Sequence, residues 1–523
     1  MLCRVTGETF EVTESERAHL VNLAGAHPIA LGDLPLPDTC PQEFLRQFTA
    51  WGNLLNIFRS KSCLSGTPQL SRYNPDLVPR ICTPEEFWSD AVDNCDFGRP
   101  YDFSRPFFDQ MRELLQQVIF LPLNVTQCEG SEYINGAFGT KNSYLSFGIY
   151  NSEECLYCYM VRNCVDCIDC LDAIRCESCY DCHNIRNCHA CRSCLLCTSC
   201  SDCVLCEDCF GCRNCALSFG LRNQEYCVRN IPVGKKKYEE FLAQQGLQSR
   251  TNFEFARRSF RDELKASGFI ATTLINEENS SGQFMTNVKD VYSSFYTHTA
   301  HDCGHIFLSH DCSDFWRGIA ESATLGYQSL SYLHAYGSYN CYTDFGGAYN
   351  MYCLFIYNSC QHCFGSVGLK KKSYCILNKE YSKDEYFDLL PRIISHMKYT
   401  AECGRFFPPH LAPHYNQQAF CDDWLQPIPI EEVRKRGYRE GYYDYHSVVE
   451  TVDANKIPDD IENFTPLITD RTYKCLVTGK LFKFQPKELA FYRKFGIPPP
   501  NLHWAQRIRN RITDVFLIPN DLH

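Results

Sequence analysis

The chain has 523 residues, with 51 basic and 62 acidic side chains, a net charge of -11 and 35 cysteines. That balance excludes a globally basic nucleic-acid binder, and no run reaches the roughly 18 apolar residues of a membrane helix. The opening MLCRVTGETFEVTESERAHL carries early acidic residues and no apolar run of signal-peptide length, so the expectation is a cytoplasmic protein of roughly two to four domains. Cytosolic thiols are normally kept reduced, so cysteines at this density point to metal ligands, redox chemistry or small buried side chains.

Residues 1–66 read as a degenerate zinc-ribbon-like module. Zinc ribbons place CxxC on each of two knuckles. CRVTGETF from Cys3 and CLSG from Cys63 keep one cysteine of each pair, while Thr6 and Ser65 stand before the glycine in place of the other. Cys40 is the nearby extra ligand. Residues 67–127 read as a linker and helical N-cap.

Residues 128–230 carry the strongest pattern. The 19 cysteines from Cys155 to Cys227 all differ by multiples of three, and Cys128 shares their phase. In rows of twelve, one column reads Cys155, Cys167, Cys179, Cys191, Cys203, Cys215, Cys227, and the next Cys158, Cys170, Cys182, Cys194, Cys206, Ser218. A third is mixed, with Val161, Ala173, Ile185, Cys197, Cys209 and Leu221, and the fourth reads Cys164, Cys176, Cys188, Cys200, Cys212, Gln224. A spacing of three fits neither a helix at 3.6 nor a strand at 2, and a fixed short period points to a repeat architecture. The expectation is a mainly β chain with a tight β-solenoid (β-helix) of twelve-residue coils and an inward side chain at every third position. Small insect antifreeze β-helices resemble this pattern, although the threonine rows of an ice-binding face are absent.

Three roles stand open for the ladder. The thiols pack in reduced form, or they pair across the coil, for which Cys158, Cys164, Cys170, Cys176, Cys182 and Cys188 offer cysteines six apart. Alternatively they bind a soft metal, zinc or copper. That site is expected at Cys191, Cys194, Cys197, Cys200, Cys203, Cys206, Cys209 and Cys212, because only there are all four columns cysteine. His183 and His189 fall at outward positions and read as solvated.

Residues 231–278 read as a helical cap and linker. A constant offset of 148 then superimposes residues 279–378 on the first ladder, carrying Cys155 to Cys303, Cys164 to Cys312, Cys212 to Cys360 and Cys227 to Cys375. A second β-solenoid is expected there, with an aromatic and aliphatic inward row of Tyr327, Leu330, Leu333, Tyr336, Tyr339, Tyr342, Phe345, Ala348, Met351, Leu354 and Tyr357. Residues 379–470 read as a helical cap and extended linker. Residues 471–523 form a second ribbon-like module, where CLVTGKLF from Cys475 echoes the N-terminus and His503 is the extra candidate ligand. Its Arg493, Lys494, Arg507, Arg509 and Arg511 alternate with aromatic residues, a composition able to bind single-stranded nucleic acid.

DFGRPYDFSRPFFDQ from Asp96, KNSYLSFG from Lys141, FGLRNQEYCVRN from Phe219, SYCILNKEYSKDEY from Ser373 and RFFPPHLAPHYN from Arg405 span nearly the whole chain. They resemble a family of cysteine-triplet repeat proteins with zinc-ribbon ends from candidate-phyla-radiation bacteria. The resemblance implies tandem cysteine-triplet segments between ribbon ends and supplies no activity. Some members carry the label CaiB/BaiF, a CoA-transferase class that needs a dinucleotide-type α/β fold and an aspartate nucleophile. This sequence shows neither.

The functional expectation is a non-enzymatic cysteine-rich protein, soft-metal-binding or thiol-packed. The alternative is an interaction scaffold that binds an unidentified macromolecule, protein or nucleic acid, through outer faces or terminal modules, with no membrane partner.

Overall fold

The computed structural model describes residues 1–12, 14–26, 35–171, 193–194, 201–268, 347–441, 449–464 and 466–516, together with strand-bearing segments between 274 and 344. The described residues are 33% helical and 20% strand, with the strands in separate sheets. The expectation of a mainly β chain made of two tandem β-solenoids is corrected: this is a mixed α/β structure. The triplet period reports a local backbone repeat of isolated bridges and short strands, and it says nothing of the helices that make up much of the remaining chain. No described helix is long and apolar enough to cross a membrane.

The chain divides into two units, each assembled from distant segments. One contains Met1–Leu123 and Thr272–Tyr443, and the other Asn124–Ala271 and Asp444–Leu517.

In the second unit the local repeat can be followed residue by residue. Parallel bridges join residues twelve apart, as in Glu132↔Tyr144, Tyr144↔Leu156, Leu156↔Ile168 and Ser201↔Arg213. Each triplet places an inward residue, then a bridging residue, then one in the left-handed region. Asn163, Asp166, Asp169, Asp202, Asp208, Asn214 and Asn223 hold that third place with φ between 44° and 60°. Asn and Asp tolerate this region better than other non-glycine residues, which explains why they recur just before the cysteines.

Gly211 holds the same place with φ +64°, and a Cβ there would sit 2.2 Å from Asn223 Oδ1. Gly211→Ala should therefore destabilise this unit by about 1–2 kcal/mol in urea unfolding.

The inward residues have a specific task. The bridging amide donates to the next turn, as Tyr144 N–H does to Cys155 O at 2.9 Å, and the left-handed amide donates to the previous one, as Tyr157 N–H does to Tyr144 O at 3.1 Å. The inward amide has no ladder partner. It finds a side chain twelve residues earlier: Cys155, Cys158 and Cys164 N–H donate to Ser143, Ser146 and Ser152 Oγ at 3.1, 3.1 and 3.2 Å. At these turns the small side chains of cysteine and serine, which both accept and donate, fill that role.

In the first unit the same geometry recurs over Tyr336–Ile376, but the expected inward row is wrong. Its inward core is Cys341, Cys353, Ile356, Cys360, Cys363, Leu369 and Cys375. Tyr336, Tyr339, Ala348, Met351, Leu354 and Tyr357 are bridging residues instead. Tyr342 packs on Phe48 and Trp51, with ring centroids 5.5 and 6.5 Å apart. The reason is a one-residue insertion. Pairing runs at a spacing of thirteen from Ala348↔Gln361 to Tyr357↔Lys370 and returns to twelve at Gln361↔Ser373. Asn358 and Ser359, both at positive φ, absorb the extra residue. Leu330 lies in a described strand, while the side chains of Tyr327, Leu333 and Phe345 fall outside what the structure describes.

Three knuckles share one hydrogen-bond pattern. Cys3, Ser62 and Cys475 N–H donate to Glu8, Thr67 and Lys480 O, and Gly7, Gly66 and Gly479 N–H donate back to Cys3, Ser62 and Cys475 O. The three glycines have φ of +75°, +74° and +68°. Ser62, not Cys63, therefore stands at the ligand position of the middle knuckle.

Candidate functional site

The thiol core comes first. Of the eight expected metal ligands, Cys191, Cys197 and Cys200 lie outside the described residues, and Cys194 is described only as a strand position. Cys203, Cys206, Cys209 and Cys212 are described, and all four are buried. Their Sγ atoms donate to the carbonyls of Ser201, Val204, Glu207 and Phe210 at 3.5, 3.7, 3.5 and 3.4 Å. Neighbouring thiols and burial push the Cys206 thiol well up. A thiol that donates is protonated, whereas a metal ligand must be a thiolate. Among the described residues no group of three or more His, Cys, Asp or Glu side chains is placed to hold a metal ion. Among the described residues the metal-binding and zinc expectation is corrected on that ground, while Cys191, Cys197 and Cys200 lie outside them.

Of the expected cross-coil pairs, Cys176, Cys182 and Cys188 lie outside the described residues, as do His183 and His189. Among the described residues no disulfide joins Cys158, Cys164 or Cys170 to another cysteine. Cys158 Sγ donates to Leu156 O and Cys167 O, both at 3.4 Å, and accepts from the Cys170 amide. Cys158→Ser keeps both roles and should alter stability by less than about 1 kcal/mol. Cys158→Val strands the Cys170 amide and should cost about 1–3 kcal/mol by chemical denaturation. Val161, fully buried in the same core, shows that an aliphatic side chain itself is accommodated.

The ribbon-like ends bring the one expected extra ligand to each outer knuckle, Cys40 to Cys3 and His503 to Cys475. Thr6 N–H donates to Cys3 Sγ at 3.5 Å, and Thr6 Oγ1 lies 3.9 Å from Cys40 Sγ. Burial pushes the Cys40 thiol up to about 11. At the other end the His503 backbone N–H hydrogen-bonds Cys475, and His503 Nδ1 accepts from Ala505 N–H at 3.1 Å, capping the Trp504–Phe516 helix. In the middle knuckle Ser62 Oγ donates to Glu86 Oε2 at 2.5 Å, and the same oxygen accepts from Thr83 N–H at 2.8 Å. Side-chain hydrogen bonds occupy the place of the metal there.

The most chemically distinctive site lies in the Asn124–Ala271 and Asp444–Leu517 unit. Asp169 sits on a cysteine turn in the left-handed conformation and accepts from Arg507 Nη1 at 2.6 Å and Tyr492 Oη at 3.4 Å. Arg511 Nη2 stands 3.5 Å from the same oxygen. Glu488 accepts from Tyr157 Oη at 2.9 Å and Tyr492 Oη at 2.8 Å, with Arg507 Nη2 at 3.5 Å. The Arg507 guanidinium lies 4.6 Å from the centroid of the Tyr157 ring. Burial opposes the Arg507 charge, but Asp169 holds its pKa well above the ordinary value. Burial raises the Glu488 carboxyl, against the pull of Arg507.

This network opens onto a cavity of about 600 Å³ between the Arg250–Ser267 and Trp504–Phe516 helices. One wall carries Arg250, Arg257, Arg258 and Arg261, and the other Arg507 and Arg511. Of the five basic residues singled out in the C-terminal module, Arg507 and Arg511 are buried rather than solvated. Arg493 donates to Phe464 O at 3.1 Å, and Lys494 lies 5.0 Å from the Phe495 ring centroid. Arg509 is partly buried. Sequence reasoning missed the other wall. The signal was present: in RTNFEFARRSFR the arginines recur at helical spacing beside the stripe of buried Phe253, Ala256 and Phe260.

No family model, curated protein or solved structure matches this sequence.

Proposed function

We propose that this chain is a non-enzymatic binding scaffold whose thiols are structural and whose binding face lies in the module built on the C-terminal ribbon. The observation that carries this reading is the commitment of the inward thiols to hydrogen bonds with their own backbone, seen at Cys155, Cys158, Cys203, Cys206, Cys209 and Cys341. Burial keeps reagents away from these side chains. Support for the binding face comes from the arginine-walled cavity, which gathers cationic side chains on a chain of net charge -11.

Thiol labelling under native conditions tests the scaffold reading. Exposed Cys63 should react quickly, with Cys95, Cys128 and Cys403 following, while the buried cysteines label only as the protein unfolds. Rapid labelling of Cys203, Cys206, Cys209 or Cys212 in the native protein would make the thiols working groups and overturn the reading.

A further inference from the structure

We infer that the first unit binds a small organic carboxylate with an apolar body, in the cavity that the Phe107–Gln117 helix shares with residues 77–80, Leu411 and Arg439. The cavity measures about 120 Å³. At roughly 10–15 Å³ for each enclosed water, that is room for about ten non-hydrogen atoms. Val78, Leu115, Phe120 and Leu411 supply apolar surface, and Arg80, Arg112 and Arg439 supply charge, with no carboxylate in the lining. No residue is shared with the cavity of the other unit.

The charge is held in place without being neutralised. Arg439 Nε donates to His410 O at 2.6 Å, and its own carbonyl accepts from Asn416 N–H at 2.8 Å. Burial lowers the Arg439 pKa, and the group acting against burial is the Tyr415 phenol, not a carboxylate. The Arg80 carbonyl accepts from Phe120 N–H at 2.9 Å, while its guanidinium lies 5.0 Å from the Phe97 ring centroid with a buried Nε that meets no acceptor. Among the described residues neither Arg80 nor Arg439 forms an ion pair. Arg112 has Asp109 at 2.9 Å, a pair open to solvent at 47% and 43% exposure. Nearby imidazoles register the same field. Burial, then Arg439 and Arg112, holds His410 below its usual pKa, and burial, then Arg72 and Arg439, does the same for His414.

The lining narrows the ligand. Guanidinium groups present forked N–H donors that match carboxylate oxygens two at a time. Arg112 and Leu115 stand three apart on one helix face, so charge and apolar contact reach the same ligand. Inorganic phosphate would meet the arginines but leave the apolar surface wet, whereas an acid with a ring or a short branched chain covers it. The volume limits that body to a single ring or its equivalent.

Calorimetric titration of the full chain with benzoate tests this directly. One equivalent should bind with a Kd below about 1 mM, and benzamide, of the same shape without the charge, should bind at least about tenfold more weakly. Inorganic phosphate should also bind at least about tenfold more weakly, because it covers none of the apolar surface. R80Q loses one charge-assisted contact and should weaken benzoate about tenfold. The Arg80 guanidinium has no acceptor to lose, so the melting profile of R80Q should match the parent. If that profile shifts, R112Q on the exposed helix surface carries the same test, with weakening of about fivefold because Asp109 already engages Arg112. R392Q, an exposed arginine outside the cavity, should bind benzoate within about twofold of the parent. No saturable benzoate binding, or unchanged binding in both R80Q and R112Q, would overturn the inference. So would benzamide or inorganic phosphate binding as tightly as benzoate, since the site would then read shape alone or charge alone.

Discussion

Asp169→Ala should lower the stability of its unit by about 3–5 kcal/mol, read as a shift of the urea midpoint at unchanged slope. The carboxylate is 1% exposed and neutralises Arg507, which is 7% exposed. Its removal takes the main counter-charge from buried Arg507, leaving Glu488 at 3.5 Å. An uncompensated buried cation costs far more than the intact pair contributes. Asp169→Asn preserves the side-chain shape and the tolerance for φ of 60° but not the charge, so it separates electrostatics from backbone preference. If charge dominates, Asn should be nearly as damaging as Ala, and Arg507→Met in either background should recover part of the loss. A change below about 1 kcal/mol in Asp169→Ala would show that the network contributes little.

The same unit should lose stability in mild acid because of His503. Burial, reinforced by Lys480, Arg507 and Arg509, depresses its pKa from 6.5 to about 3. The folded state therefore keeps a neutral imidazole over a range where the unfolded chain takes up a proton. The stabilisation is fully present above pH 6.5, falls by up to about 1.4 kcal/mol per pH unit as pH drops below that value, and levels off near 3. His503→Asn retains an acceptor for the Ala505 amide and should flatten this part of the stability–pH curve. An unchanged slope in His503→Asn would assign the acid sensitivity to other groups.

The cysteine positions of the first ladder were legible in the sequence because the backbone turns an inward side chain at every third residue, and small hydrogen-bonding ones fill most of those places. That pattern is local, and so is what it reveals. It did not disclose the helices, and so the overall class was misjudged. The second copy misled for a related reason. Its tyrosines keep the triplet spacing, but they bridge outward, and the residue added at Asn358–Ser359 resets the phase so that Cys360, Cys363 and Cys375 again point inward. A pattern count cannot locate such an insertion when the offset of 148 is preserved on both sides of it.

The candidate site was half legible. Arg507 and Arg511 stood out as basic residues among aromatics, yet their burial depends on Asp169, more than 300 positions earlier in the chain. The Arg257 and Arg261 wall carried its own helical signal, but nothing in sequence placed that helix opposite the C-terminal one. Conversely, the ribbon-like knuckles were recognisable from glycine and cysteine spacing, while the role of Ser62 required the hydrogen bonds to Leu64 and Ser65 N–H at 3.1 and 3.2 Å.

The central claim, that the thiols serve the backbone, is tested most directly by intact mass and elemental analysis of the native protein purified without oxidant. The account predicts the mass of a chain with all 35 cysteines reduced and no stoichiometric zinc or copper. A deficit of two hydrogens per cysteine pair, or metal that co-elutes in fixed proportion and departs in Cys203→Ser/Cys206→Ser, would contradict it.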